Sequence, residues 1–133
     1  MANFQSESKK SGDEFELIVE SDLHDRNYTI QSTNTKIKDI GVNVDYIAID
    51  ASGIVEYGEA KGGHPGPKKR PGAERTDNVK KAICNGALLK TYNPDCKYVI
   101  YFSAPPTKGS SSEEMINTAL SAGFVDEVRY LSY

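Results

Sequence analysis

Two acidic side chains and a lysine are spaced so that they meet across a short β-hairpin. Two β-branched segments flank residues 51–53, whose sequence Ala-Ser-Gly is typical of a three-residue hairpin loop with glycine in the left-handed position. This loop places Asp45 directly opposite Glu59. Lys61 shares their face because alternate side chains of a strand point the same way. The same register pairs apolar residues near the turn: Ile49 with Val55, and Ile47 with Tyr57.

The opposed carboxylates indicate a metal site. Like charges directly opposite each other on a sheet repel, by up to about 1 kcal/mol, unless a cation lies between them. Hard carboxylate oxygens without neighbouring His or Cys favour Mg²⁺, with Mn²⁺ as a substitute. Asp45 and Glu59 are therefore predicted to hold a divalent ion, with Lys61 beside it. The alternative interpretation is that both acids are solvated strand-end charges and that Lys61 is their surface partner.

A basic tract follows the hairpin. Residues 61–81 contain seven basic and two acidic residues, a local charge of +5 in a chain of net charge −3. This asymmetry favours an anion-binding face on an otherwise acidic protein, and a solvated basic loop is the alternative. Residues 62–72 hold four glycines and three prolines and are predicted to form a loop.

Hydrophobic periodicity predicts the elements that position these residues. Thr76 is the expected cap of one helix, and the spacing Ser111-x-x-Glu114 predicts a capping box for another, which Gly123 ends. The predicted order is helix 12–27, strands 28–37, 42–50 and 54–61, helix 76–92, strand 97–104, helix 111–122 and strand 126–131.

This order predicts an α/β fold, a mixed sheet flanked by helices, with strand 97–104 parallel to an inner strand. The 133 residues, 38% hydrophobic, suffice for one domain over 12–133, after a polar tail over 1–11 that is predicted to be disordered. The longest apolar run, Tyr98–Phe102, falls far short of the ~20 residues of a membrane span. Two cysteines and no apolar signal segment favour a cytoplasmic protein without a membrane partner.

The hairpin residues resemble a known motif. Asp-Tyr at 45–46 followed by Glu-Ala-Lys at 59–61 is similar to the signature of the PD-(D/E)xK nuclease superfamily, the restriction-endonuclease-like fold, although Val44 stands where that signature has proline. Residues 12–16 also resemble the start of the first helix of these nucleases. The resemblance covers about 12–104 and implies an αβββαβ core, here with an added C-terminal helix and strand.

The resemblance implies metal-dependent hydrolysis of phosphodiester bonds. The implied catalytic residues are Asp45, Glu59, Lys61 and Glu16, and the implied metal ligands are Asp45, Glu59, Glu16 and the backbone carbonyl of Ala60. Lys61 would orient the attacking water and offset charge in the transition state. Glu20, one helical turn after Glu16, is the alternative for the role of Glu16.

The resemblance also implies DNA as the partner. The implied DNA-binding residues are Lys68, Lys69, Arg70, Arg75, Asn78, Lys80 and Lys81. The free N–H groups in the first turn of helix 76–92 would add phosphate contacts. For Asn78, a position facing water is the alternative.

The implied function is that of a Mg²⁺-dependent DNA endonuclease of a bacterium, an archaeon or a phage. One small domain leaves little room for a separate recognition module, so a restriction-like homodimer or higher oligomer is expected. A Holliday junction resolvase or a homing-type nuclease is the alternative, and a catalytically silent DNA-binding module of the same fold is a second. A small-molecule enzyme with a generic anion site is the competing class.

Overall fold

A computed structural model describes residues 4–133, with side chains from Lys10 onward. Its elements are α1 (Phe4–Asp25), β1 (Thr29–Ile37), β2 (Val42–Ile49), β3 (Val55–Lys61), α2 (Thr76–Tyr92), β4 (Lys97–Phe102), α3 (Ser111–Ala122) and β5 (Glu127–Tyr130). A short 3₁₀ turn, Gly72–Glu74, precedes α2. None of the helices in this range has the length and apolar character that a membrane span requires.

The five strands form one mixed sheet in the order β1-β2-β3-β4-β5. β1, β2 and β3 are antiparallel neighbours, whereas β4 runs parallel to β3 and β5 runs parallel to β4. The long connection through α2 permits the parallel β3–β4 pair, because parallel neighbours cannot be joined by a tight turn. The predicted α/β fold class, including the C-terminal helix and strand added to the αβββαβ core, is confirmed.

Helices cover both faces of the sheet. We call the side of the sheet covered by α1 the α1 face. There, Phe15, Val19 and Leu23 of α1 pack against Tyr46 and Tyr101. The three α1 residues recur every four positions and so form one stripe. On the other side, the α2 face, α2 and α3 pack together on the sheet. Buried residues of this second core include Val79, Ala82, Leu89, Tyr98, Ile100, Phe102, Ile116 and Ala119. Because helices cover both faces of the sheet, the predicted site is accessible only at an end of the sheet.

α1 begins at Phe4 and not near Gly12, so it starts within the segment 1–11 that the sequence predicts to be a disordered tail. Residues 1–3 lie outside the described residues. The segment 4–11 contains Gln, Glu and Lys but no proline. Such residues prolong a helix at little cost once its core-facing part has formed.

Two predicted helix caps are shifted by one residue. The N-cap of α2 is Arg75 and not Thr76, and it makes no side-chain cap bond. The N-cap of α3 is Ser110 and not Ser111: its hydroxyl accepts a hydrogen bond from the Glu113 N–H at 3.2 Å. Three consecutive serines fit the cap position equally well in sequence. Gly123 ends α3 in the left-handed conformation, as predicted.

A buried ionic cluster lies on the α1 face of β3, where the sequence pattern gave no indication of one. The fully buried Glu56 accepts hydrogen bonds from the Arg129 guanidinium at 3.0 and 3.1 Å and from the Tyr46 hydroxyl. The Lys97 ammonium lies 3.3 Å from the same carboxylate. Gly58 leaves room for Tyr46, since a Cβ there would lie 1.9 Å from its ring. We call Glu56, Arg129, Lys97 and Tyr46 the Glu56 cluster.

Candidate active site

The β2–β3 hairpin has the predicted register, and its ladder of paired residues ends at Tyr46 and Gly58. Asp45 and Glu59 follow at the point where the two strands separate. There the Asp45 carboxylate accepts a hydrogen bond from the Ala60 N–H at 2.7 Å. This bond replaces a ladder bond between backbones, and it holds the Asp45 side chain against β3.

Asp45, Glu59 and Lys61 come together on the α2 face. The Lys61 ammonium lies 3.6 Å from a carboxylate oxygen of Glu59. Glu59 is only 4% exposed, and the nearby Asp45 carboxylate raises its pKa. Two acidic side chains and one lysine therefore meet at the end of the hairpin, with Glu59 buried and with Asp45 and Lys61 half-buried.

Burial and the neighbouring Asp45 carboxylate raise the pKa of Glu59 to about 8, although Lys61 and Asn85 act in the opposite direction. A buried carboxylate next to another carboxylate is stabilised either by a proton or by a cation. The pair consists of hard oxygen donors alone, which suits Mg²⁺ or Mn²⁺.

A residue that the sequence did not single out for this site, Asn85, contacts it directly. The Asn85 side chain on α2 donates a hydrogen bond to Glu59 at 2.8 Å. Asn78, the residue predicted to bind DNA, donates instead to the Gly72 carbonyl at 3.0 Å and so holds the preceding loop. The seven-residue spacing of the two asparagines places both on one helix face, because residues two turns apart lie on the same side, but it does not show which strand that face meets.

Glu16 lies near the pair but does not join it into a larger cluster. Burial, followed by the nearby charges of Asp45, Asp13 and Glu20, raises the pKa of Glu16. Among the described residues, no three His, Cys, Asp or Glu side chains are grouped closely enough to hold a metal ion by themselves. The carboxylate pair is thus the assembled part of the site, and a role for Glu16 stays a prediction.

A cleft of about 850 Å³ opens beside the hairpin end. Its lining includes Ala60 and Lys61 from β3, and five of the residues predicted to bind DNA: Lys68, Lys69, Arg70, Arg75 and Asn78. Lys80 and Lys81 are exposed on α2 but do not line the cleft. The structure thus brings the predicted catalytic lysine and most of the basic tract to one opening.

Among the residues from Lys10 onward, the basic side chains of this tract that follow Lys61 make no ion pair. From Lys10 onward, ion pairs join acidic groups to Arg26, Lys61, His64, Lys90, Lys97 and Arg129. None of these pairs includes Lys68, Lys69, Arg70 or Arg75. The cleft therefore presents uncompensated positive charge, which attracts a polyanion.

Solved structures show the same architecture. EndoMS in a complex with dsDNA superposes with a TM-score of 0.54 and 19% identity, covering 88% of this chain and 42% of that chain. A repair endonuclease from Pyrococcus abyssi superposes with a TM-score of 0.56 and 16% identity, covering 99% and 48% of the two chains. SfsA of Pyrococcus furiosus, solved with Ca²⁺, gives a TM-score of 0.54 and 19% identity over 92% and 55%.

The fold is restriction-endonuclease-like. It accounts for the αβββαβ order, the antiparallel hairpin and the parallel fourth strand. The chain spans about half the length of these structural neighbours. No protein-family model matches the sequence, and no curated protein matches it.

Proposed function

We propose that the protein is a divalent-metal-dependent endonuclease that hydrolyses phosphodiester bonds of DNA. The observation that carries this proposal is the geometry at the end of one hairpin. A carboxylate pair lies beside Lys61, and Lys61 lines a cleft together with basic side chains that form no ion pair among the residues from Lys10 onward. The fold shared with a repair endonuclease and with EndoMS bound to dsDNA supports it.

Asp45 and Glu59 would hold Mg²⁺, for which Mn²⁺ would substitute, and the Ala60 carbonyl and Glu16 are further candidate ligands. Bound there, the ion would polarise the phosphate and lower the pKa of a water molecule. Lys61 would orient that water and offset the charge that develops on the phosphate. Asn85 would keep Glu59 turned toward the ion. The Ca²⁺ in the related SfsA structure supports a divalent ion in this fold.

The backbone conformation of the loop that lines the cleft supports a role for the charge of Lys68. The Lys69 N–H donates to the Gly66 carbonyl at 3.1 Å and closes a turn in which Lys68 has a φ of +60°. Turns of this kind normally carry glycine at that position, because a side chain is strained there. A lysine in the place of glycine supports a role for its charge, and phosphate is the fitting ligand.

Cleavage of both DNA strands by a single cleft would need two copies of the chain, so we propose a homodimer or a higher oligomer. The test of function uses supercoiled plasmid and branched DNA, with Mg²⁺ or with EDTA. We expect cutting that requires Mg²⁺ and that falls by about 10²-fold or more in Lys61→Ala and Asp45→Asn. Lys36→Ala, at an exposed position of β1, is the matched control. Undiminished cutting in both site variants would reject the proposal.

Binding of DNA is tested separately through its salt dependence. Each phosphate contact adds about 0.9 to the slope of log affinity against log salt. Replacing Lys68, Lys69 and Arg70 together with Gln should therefore lower that slope by roughly 3. A small-molecule enzyme with an anion site would show no salt-sensitive binding of DNA at all.

A further inference from the structure

Tyr133 joins the loop after β3 to α1. Its hydroxyl donates to the Ser11 carbonyl at 2.8 Å and accepts a hydrogen bond from the Gly63 N–H at 3.0 Å. Its ring stacks on His64, with 3.7 Å between ring centroids, and packs against Phe15 at 5.7 Å. We call these five residues the tyrosine clasp.

Neighbouring residues are adapted to the clasp. A Cβ at Gly62 would lie 2.8 Å from the Tyr133 hydroxyl and 2.7 Å from Phe15, so a glycine is needed for the loop to approach α1 this closely. His64 is tied to α1 a second time, by the Glu14 carboxylate at 2.8 Å from its Nε2. Close packing at Gly62 and the contact between His64 and Glu14 thus hold the loop against α1 from more than one side.

The clasp restrains one end of the cationic loop, where the Ser103 hydroxyl also donates to the Gly63 carbonyl at 2.9 Å. At the other end, the Ala73 N–H donates to the Ala104 carbonyl at 2.9 Å, and the Gly72 N–H joins the two ends by donating to the Gly62 carbonyl at 3.3 Å. Between these ends, residues 64–70 make one backbone hydrogen bond, the turn bond from the Lys69 N–H to the Gly66 carbonyl. The position of the cations relative to Lys61 therefore depends on how the two ends are held.

We propose that Tyr133 is a positioning residue for the DNA-binding loop. The clasp holds residues 62–71 on α1, so that Lys68 and its neighbours face Lys61 before DNA binds. Tyr133 is 37% exposed, so burial of its ring accounts for less of its role than its hydrogen bonds and its stacking do. The effect on DNA rests on the proposed function, whereas the restraint of the loop is measurable without DNA.

Limited proteolysis with trypsin measures the restraint. We expect fragments ending at Lys68 or Lys69 to appear about tenfold faster in Tyr133→Ala, because one aromatic stack and two hydrogen bonds are lost. Tyr133→Phe keeps the ring and loses the hydroxyl bonds, so its rate should be intermediate. Tyr92→Ala, at a more exposed tyrosine of α2, is the control and should leave the rate unchanged. Urea unfolding checks that each variant retains its global stability. If Tyr133→Ala does not fold, the tryptic rate of Tyr133→Phe decides the test.

Cleavage kinetics separate positioning of the loop from general damage. In Tyr133→Ala we expect KM for duplex DNA to rise about tenfold and kcat to stay within about threefold. Unchanged tryptic rates in both Tyr133 variants would overturn the proposal, and so would a fall in kcat at unchanged KM. If the wild-type protein does not cut DNA, the proposed function fails and trypsin alone decides on the clasp.

Discussion

At the residue scale, the electrostatics of the site depend on Glu59. It is buried, its pKa responds to the nearby Asp45, it pairs with Lys61, and it accepts a hydrogen bond from Asn85. Strand alternation alone was enough to predict that Asp45, Glu59 and Lys61 lie on one face. It could not place Asn85, because which side of a helix meets a given strand depends on the packing of α2 on the sheet.

The stability of the metal-free protein should fall as the pH rises. The pKa of Glu59 is about 8 in the folded protein against an ordinary 4.5, so a bound proton stabilises the fold. In EDTA that contribution is complete below pH 4.5 and is lost as the pH rises through about 8. Mg²⁺ should reduce the loss because it takes over the role of the proton.

The measurement is the free energy of unfolding in urea from about pH 5 to about pH 9, with EDTA or Mg²⁺. Glu59→Gln lacks this titration and should show a flatter pH dependence and little effect of Mg²⁺. The same pH dependence with and without Mg²⁺ in the wild-type protein would contradict the metal assignment.

Asn85→Ala should weaken binding of Mg²⁺ by about tenfold or more, the usual cost of losing a partner that orients a metal ligand. Its hydrogen bond lowers the pKa of Glu59, so its loss also favours the proton over the ion. Titration calorimetry with Mg²⁺ measures the affinity. Asn43→Ala, at an exposed position of β2, should bind as the wild type does; equal affinities in all three proteins would rule out a role for Asn85.

Lys68→Gly should separate binding of DNA from stability. Glycine relieves the strain of the positive φ at this position, about 1 kcal/mol, so the free energy of unfolding should stay the same or rise. The loss of one phosphate contact should lower the salt slope of DNA binding by about 0.9. Lys108→Gly, in another exposed loop, is the control. A drop in stability with an unchanged slope would show that Lys68 serves the loop and not DNA.

At the scale of elements, periodicity and loop chemistry predicted most of the fold. The bounds of α2 and the register of the β2–β3 hairpin agree with the sequence prediction, because both follow from local spacing. The start of α1 and the two caps do not agree. The sequence offered several equivalent starting points there, and the choice among them depends on contacts with distant parts of the chain.

Two helical glycines should respond in opposite directions to alanine. In α2, a Cβ at Gly86 would lie 2.6 Å from the Phe124 carbonyl oxygen and 2.7 Å from the Tyr98 ring, so Gly86→Ala should destabilise by about 1–3 kcal/mol. In α1, nothing lies within 4 Å of a Cβ at Gly12, so Gly12→Ala should stabilise by about 0.5–1 kcal/mol. Urea unfolding of both variants checks the pair. A Gly86→Ala variant that is not destabilised would show the packing of α2 on β4 and on the segment before β5 to be looser than described.

At the scale of the whole molecule, the Glu56 cluster connects β3 to β5 and to β4 beneath α1. Its main ion pair joins Glu56 to Arg129, 73 positions later in the chain. Strand alternation in the sequence predicts that Glu56 faces away from the predicted catalytic residues. It does not predict the partner, because a contact at that separation depends on the order of strands in the sheet.

Arg129→Met should destabilise the protein by about 3–5 kcal/mol, because it leaves the Glu56 carboxylate buried without its main partner. The double variant Glu56→Met with Arg129→Met should lose less than the sum of the two single variants. Urea unfolding of the four proteins completes the cycle. Additive losses would mean that the two side chains contribute independently.

β3 also restricts how the chain can change in length. Glu56 and Gly58 serve the Glu56 cluster on one face, and Glu59 and Lys61 belong to the candidate site on the other. Insertion of one residue between Glu56 and Glu59 would exchange the two faces beyond the insertion, because the side-chain period of a strand is two residues. Such a shift in register would remove either the Glu56 cluster or the carboxylate pair and lysine of the candidate site. This stretch should therefore accept changes of residue type far more readily than a single insertion or deletion.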